Sequence, residues 1–161
     1  HDTLRPLVER FEVPFHFLPH QEQSREAHEH QLAELIDIYA PEAIVLARYM
    51  RVLSDHFVDR YSEKLINIHH SFLPAFVGAA PYQQAFERGV KVIGATAHYV
   101  TAELDAGPII AQDVIPVDHN FSAKQMAQAG RDVEKIVLAK AVRLVLEDRV
   151  FMHGCRTVVF S

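Results

Sequence analysis

An α/β fold with strands running in mixed directions is what this sequence predicts, on three observations. The run Ala43-Ile44-Val45-Leu46-Ala47 is short and continuously apolar, the pattern of a strand buried on both faces of a parallel sheet. Segments of helical period alternate with such runs through the first two thirds of the chain. The last third differs: residues 91–100 and 108–117 read as two long strands about a turn at Asp105-Ala106-Gly107, which adds a more antiparallel end.

The elements follow in order. Asp2 or Thr3 can cap a first helix in which Leu4, Leu7, Val8 and Phe11 recur at helical spacing, and Pro14 closes that segment. A short strand is expected at 15–18. Ser24 opens a second helix with Ala27, Leu32, Leu35 and Ile36 facing inward, and Pro41 marks its end. After the 43–47 strand, Ser54 caps a short helix through Tyr61, and 65–69 is the next strand. A loop rich in Pro and Gly covers 71–81, then a helix covers 82–88. Beyond the strand pair, Ser122 caps a long helix through Glu147. Its residues Met126, Ala129, Val133, Ile136, Val137, Ala141 and Val145 fall near one stripe. Residues 149–160 are strand-like, with a turn near Gly154. No internal repeat, low-complexity tract or linker divides the chain, so 1–161 is expected to be one domain.

Composition bounds the function. A chain of 161 residues suits one domain with one sizeable core. Its 49% apolar and 23% charged residues are those of a soluble globular protein. No apolar run approaches the roughly 20 residues that span a bilayer, so no membrane role is expected. No basic stretch precedes an apolar segment as in a secretory signal, and the single cysteine, Cys155, excludes an internal disulfide. A cytoplasmic location is expected. The net charge of -5 argues against broad nucleic-acid binding.

In an open α/β sheet, ligands gather beyond the carboxyl ends of the parallel strands. The strand Leu65-Ile66-Asn67-Ile68-His69 ends in such a place, and alternation sets Asn67 and His69 on one side of it. Two polar side chains at the end of a buried strand need partners, whether to hold the next loop or to do chemistry. Asp105, in a turn between strands, reads on its own as a turn former. The three together say more. A carboxylate can orient an imidazole and stabilise its charged form, and an Asn amide can donate to a carbonyl oxygen. That set suits hydrolytic attack on an amide-like carbonyl without a covalent nucleophile. Other constellations are weaker. Of the 11 histidines, His28 and His30 diverge on their helix and His69 and His70 on their strand; with no H-E-x-x-H and no cysteine pair, no metal is expected. Cys155 stands alone near the chain end, and Ser71 lacks the context of a nucleophile elbow. G-x-G-x-x-G is absent, so a dinucleotide has no support.

The segment Asn67-Ile68-His69-His70-Ser71-Phe72-Leu73-Pro74, followed by Asp105-Ala106-Gly107, resembles the catalytic signature of the folate-dependent formyltransferases. His70 and Phe72, with Ala129-Gly130-Arg131-Asp132-Val133-Glu134-Lys135, make it most similar to the formyltetrahydrofolate deformylase branch; 47–53 and 94–100 support this. The resemblance runs along the whole chain. It implies a three-layer, Rossmann-like formyltransferase fold with a mostly parallel, mixed sheet. It further implies a catalytic domain without the N-terminal ACT domain and first βαβ unit of that branch. The implied reaction is hydrolysis of 10-formyltetrahydrofolate to tetrahydrofolate and formate, which supplies formate for purine biosynthesis and balances the one-carbon pool.

By the same resemblance, Asn67 and protonated His69 would stabilise the oxyanion. Asp105 would position His69 and the attacking water and assist proton transfer to the departing nitrogen. Met50, Arg51, Val52 and Leu53 would line the folate pocket, with Arg51 meeting the glutamate tail and the backbone near Leu53 the pterin. Val100, Thr101, Ala102, Glu103 and Leu104 would close over the pterin ring, and His70 would join the substrate-binding set. Without the resemblance, Met50, Val52 and Leu53 read as core and Arg51 as a surface cation. Folate is the substrate, so no cofactor is expected; the partners are the folate and water, and the long amphipathic helix allows a homo-oligomer. Ala80 stands where many relatives would carry a larger polar or basic side chain. Two rival readings remain. One is a formyltransferase that uses the same three residues to pass the formyl group to an amine such as glycinamide ribonucleotide. The other is a catalytically silent folate-binding domain.

Overall fold

The computed structural model describes residues 2–75 and 80–160; positions 76–79 of the expected 71–81 loop lie outside the described residues. The chain divides into two compact units, His1–Pro41 and Glu42–Ser161.

The first unit holds helices α1 (Arg5–Glu9) and α2 (Arg25–Tyr39). α1 begins at Leu4 with no side-chain cap; Pro6 in its first turn serves instead, since proline's missing N–H would find no partner there. α2 is capped as its sequence predicts, with Ser24 Oγ accepting the Ala27 N–H at 3.1 Å. Its buried residues are His28, Glu29 and Ala33, whereas Ala27 is exposed, so the inward face is rotated from the expected one. The expected strand at 15–18 does not form. A strand needs a ladder partner, and this segment is engaged through side chains instead. Phe15 lies under the Arg5 guanidinium at 4.9 Å, and His16 Nε2 shares a 2.7 Å hydrogen bond with the Tyr39 hydroxyl.

The second unit contains β1 (Ile44–Leu46), α3 (Asp55–Arg60), β2 (Leu65–His69), α4 (Pro81–Arg88), β3 (Val92–Tyr99) and β4 (Ile109–Pro116). It ends with α5 (Ala123–Leu146) and the hairpin β5 (Val150–His153) and β6 (Arg156–Val159), which turns through Gly154 at φ 61°. Strand order is β1-β2-β3-β4. β1 and β2 run parallel, and β2/β3 and β3/β4 run antiparallel, so the sheet is mixed as expected, but only one of these three pairs is parallel, and β1 is an edge strand with Val45 exposed rather than buried on both faces.

Alternation along β3 divides the sheet's two faces. Ala95, Ala97 and Tyr99 join Ile66 in the core against Val133, Val137 and Ala141 of α5. Thr96 and His98 point the other way and are also buried. The buried stripe of α5 is Met126, Gly130, Val133, Val137, Ala141 and Leu144, spaced by threes and fours. Ile136 was expected on that stripe but lies off it and is 63% exposed. Ser122 and Gln125 form a reciprocal capping box at the helix start. No described helix is long and apolar enough to cross a membrane.

Candidate active site

β2 and β3 bring the first pair together. Asn67 and His98 are directly opposed in the antiparallel ladder. His98 Nδ1 lies 2.8 Å from the Tyr99 carbonyl oxygen. A carbonyl only accepts, so Nδ1 carries the hydrogen. Burial pushes the His98 imidazole below its ordinary range, against the smaller upward pull of the Tyr99 carbonyl and Asp105, so the ring is neutral and Nε2 holds a lone pair. Asn67 Nδ2 donates to that nitrogen at 3.3 Å. The tautomer of His98 therefore decides which end of the Asn67 amide faces it. The second amide hydrogen remains available to another acceptor.

The turn after β3 brings in the carboxylate. Asp105 has φ 55°, a left-handed conformation that Asp tolerates better than most residues. Two residues on, a Cβ at Gly107 would collide with the Tyr99 carbonyl oxygen, so only glycine lets this turn lie so close to β3. The Asp105 side chain is 8% exposed, with Oδ2 3.3 Å from His69 Nδ1 and Oδ1 3.8 Å from His98 Nε2. The longer approach is outside hydrogen-bond range, so Asp105 is paired with His69 and only neighbours His98.

The segment after His69 is clamped to the sheet. Thr96, the ladder partner of His69, donates from Oγ1 to the Ser71 carbonyl at 2.8 Å. The same oxygen accepts from the Leu73 N–H at 3.0 Å and from Gln112 Nε2 at 2.9 Å. A hydroxyl has one hydrogen and two lone pairs, and all three are used. Ser71 Oγ donates to the Ala75 carbonyl, a backbone-holding role.

Asn67, His69 and Asp105 line a cleft of about 540 Å³, within the usual size of small-molecule sites. Met50, Arg51, Val52 and Leu53 line it from the segment between β1 and α3, Val100, Thr101, Ala102, Glu103 and Leu104 from the segment after β3, and His70 from the end of β2. All thirteen residues proposed from sequence thus border one cavity. The core-packing reading holds for Leu53 but fails for Met50 and Val52, which are 77% and 58% exposed. Arg51 is not the surface cation its isolated context suggests. It is half-buried, and its Nη1 is buried with no hydrogen-bond partner among the described residues. An unsatisfied buried donor is costly unless something fills it, so this nitrogen is a ready anchor for a ligand's acceptor.

Sequence reasoning missed nine lining residues, among them Arg48, Tyr82, His98, Arg131 and Glu134. His98 carried a signal, being a histidine in an otherwise apolar strand on the parity of Thr96. Gly130 carried another, as a glycine on the buried stripe of a long helix. Tyr82 donates to Glu134 Oε1 at 2.7 Å, and its ring centroid lies 5.9 Å from that of His70, which lies 5.2 Å from that of His69. Burial, then the neighbouring His69, pushes His70 below its ordinary range. Burial and the Glu134 carboxylate push the Tyr82 hydroxyl far upward, so it stays protonated.

A mixed α/β sheet with Asn, His and Asp grouped at the end of a strand, on a cleft of this size, defines a scaffold that can hold a small-molecule ligand against polar side chains. The formyl transferase family model matches residues 3–142. The chain belongs to the formyl transferase family. It is 60% identical over 159 residues to the formyltetrahydrofolate deformylase of Escherichia coli O6:H1, covering 99% of this chain and 57% of that relative. The crystal structure of a formyltetrahydrofolate deformylase from Pseudomonas syringae superposes with a TM-score of 0.96 at 50% identity, over 100% of this chain and 54% of that one. Glycinamide ribonucleotide transformylase 1 from Symbiobacterium toebii superposes with a TM-score of 0.88 at 35% identity, over 96% of this chain and 73% of that one. The chain therefore spans little more than half the length of its deformylase relatives.

Proposed function

We propose that residues 1–161 act as a formyltransferase-like catalytic domain that hydrolyses 10-formyltetrahydrofolate to tetrahydrofolate and formate. The observation that carries this reading is the Asn67, His69 and Asp105 grouping on a cleft whose described lining holds no Ser or Cys side chain. Such a site has donors and a buried carboxylate–imidazole pair, which suit attack by water rather than by a side-chain nucleophile. The higher identity to deformylases than to the transformylase supports water as the acceptor.

In this mechanism, water attacks the formyl carbon and its carbonyl oxygen becomes an oxyanion. Asn67 Nδ2, oriented by His98, donates one hydrogen to that oxygen, and protonated His69, held by Asp105, supplies the second donor. The proton released by water passes through the Asp105–His69 pair to the folate nitrogen as the C–N bond breaks, leaving formate and tetrahydrofolate. Arg51 Nη1 takes an anionic group of the folate, Met50, Val52 and Leu53 pack against the ligand, and 100–104 cover its ring. Formate released this way serves purine biosynthesis and balances the one-carbon pool. The protein works in the cytoplasm as a homo-oligomer, with no cofactor beyond the folate it consumes.

The test is formate release from 10-formyltetrahydrofolate by the intact protein, with and without glycinamide ribonucleotide. Formate formed with water alone, and lost in His69→Ala, is the expected result. Turnover only in the presence of the amine would assign the chain to formyl transfer instead.

A further inference from the structure

The deformylase reading leaves one part of the cleft unused: the wall contributed by α4 and α5. Its centre is Tyr82. A Cβ on Gly130 would collide with the Tyr82 ring, so the ring lies directly on the backbone of α5. Glycine inside a helix is about 1 kcal/mol less favourable than alanine, and Gly130 needs no left-handed φ. The seat for Tyr82 is what explains it. One turn later on the same helix face, Glu134 Oε1 accepts the Tyr82 hydroxyl at 2.7 Å, a bond to a carboxyl oxygen that the protonated hydroxyl donates. The ring is therefore fixed at both its face and its tip. His70 fills the interval between this ring and His69, with successive centroids 5.9 and 5.2 Å apart.

The two loops at 50–53 and 100–104 are taken up by the folate in the reading above, on which this inference rests. A second substrate larger than water then has to reach the formyl carbon beside His69 from the α4/α5 side. That side is occupied by two aromatic rings. We propose that Tyr82, seated on Gly130 and tied to Glu134, together with His70, is the acceptor filter of this site: it admits water and excludes primary amines. With water, the new bond is C–O and formate leaves. With an amine, the new bond is C–N, the folate C–N bond breaks, one amine proton moves to the folate nitrogen, and an N-formyl amine leaves. The atoms balance in both cases, so geometry and not chemistry selects between them.

The experiment uses the intact protein, 10-formyltetrahydrofolate and rising concentrations of glycinamide, a small primary amine. Formate and N-formylglycinamide are separated and quantified for the wild type, Tyr82→Leu, Gly130→Ala and Tyr82→Phe. The leucine empties the ring's place. The alanine displaces the ring from the other side while improving helix propensity, which keeps the test open if Tyr82→Leu folds poorly. The phenylalanine keeps the ring and loses only the hydroxyl. Wild type is expected to give formate alone, and Tyr82→Phe, which keeps the ring but loses its tie to Glu134, to give less N-formylglycinamide than Tyr82→Leu. Tyr82→Leu and Gly130→Ala are expected to give N-formylglycinamide in proportion to amine, on the order of tenfold above the wild-type background, the usual scale of discrimination by a shaped apolar wall. Formate alone from both altered proteins would overturn the filter, and partitioning by Tyr82→Phe as strong as by Tyr82→Leu would overturn the role of the ring. A wild type that releases no formate would instead refute the hydrolase reading, independently of the filter.

Discussion

His98→Phe separates a positioning role from a merely structural one. The ring volume is nearly conserved, so no cavity forms, and the change removes two specific partners. The Tyr99 carbonyl loses its N–H donor at 2.8 Å, and Asn67 Nδ2 loses its acceptor at 3.3 Å. Each buried group left without a partner costs about 1–3 kcal/mol. Asn67 is only partly buried, so the expected loss of unfolding free energy is about 2–4 kcal/mol. Deleting an oxyanion donor outright lowers turnover by about 10²–10³, and that sets a ceiling. His98 acts through Asn67 and leaves the amide in place, so kcat should fall by about 10-fold to 100-fold with KM little changed. Urea unfolding measures the first effect and formate release the second. A double-mutant cycle with Asn67→Ala then decides the route: if His98 works through Asn67, the double variant is no slower than Asn67→Ala alone. A folded His98→Phe protein within about twofold of wild-type kcat, or losses that multiply in the cycle, would refute the reasoning.

Four further outcomes follow from the same geometry. Arg51→Gln should raise KM about 10-fold to 100-fold with kcat unchanged, because a buried charged donor lost from ground and transition state alike costs about 1.5–3 kcal/mol; steady-state kinetics check it. Gly107→Ala should force the 105–107 turn away from the Tyr99 carbonyl, destabilise by about 1–3 kcal/mol and abolish formate release, since Asp105 moves with it. Thr96→Val should cost about 3 kcal/mol, from three hydrogen bonds at about 1 kcal/mol each, whereas Thr96→Ser should recover most of it in thermal unfolding. The pH prediction concerns His70 and His98, both lowered by burial. A histidine lowered in the folded state stabilises fully above its unfolded pKa of about 6.5, and that stability is lost as pH falls through the folded values. Unfolding free energy should therefore drop below about pH 6.5, and His70→Asn with His98→Gln should flatten that slope; an unchanged slope counts against the neutral-imidazole assignment.

The elements read most accurately from sequence are those whose local signals agree with their tertiary setting. Ser24, Ser54 and Ser122 each cap the helix expected of them, because capping is decided within one turn. β2 occupies 65–69 as expected, because an apolar run of that length between turn signals has few alternatives. The failures share a different cause. Residues 15–18 have the composition of a strand, but strand formation needs a partner that composition does not specify. Ile136 has the right hydrophobicity for the α5 stripe, yet the buried face passes through Gly130, where the Tyr82 ring packs and no side chain gives a hydrophobic signal. Hydrophobicity alone therefore places the buried face only to within one position.

The site divides along the same line. Asn67, His69 and Asp105 are legible because each sits at a position, a strand end or a turn, where its polarity calls for explanation. The loop residues 50–53 and 100–104 are legible only through family likeness, since Met50 and Val52 look like core in isolation and are in fact exposed at the cleft. The residues that were missed act through contacts distant in sequence. His98 matters because strand register sets it opposite Asn67 and the turn at Gly107 brings Asp105 beside it. Tyr82 and Glu134 are 52 positions apart and meet only because Gly130 lacks a side chain. In each case a glycine permits a close approach that no neighbouring residue announces. Glycines lacking a positive φ are therefore the positions from which to search a sequence of this kind for partners of the candidate site residues, since their cost to the helix or strand has to be offset by what lies against them.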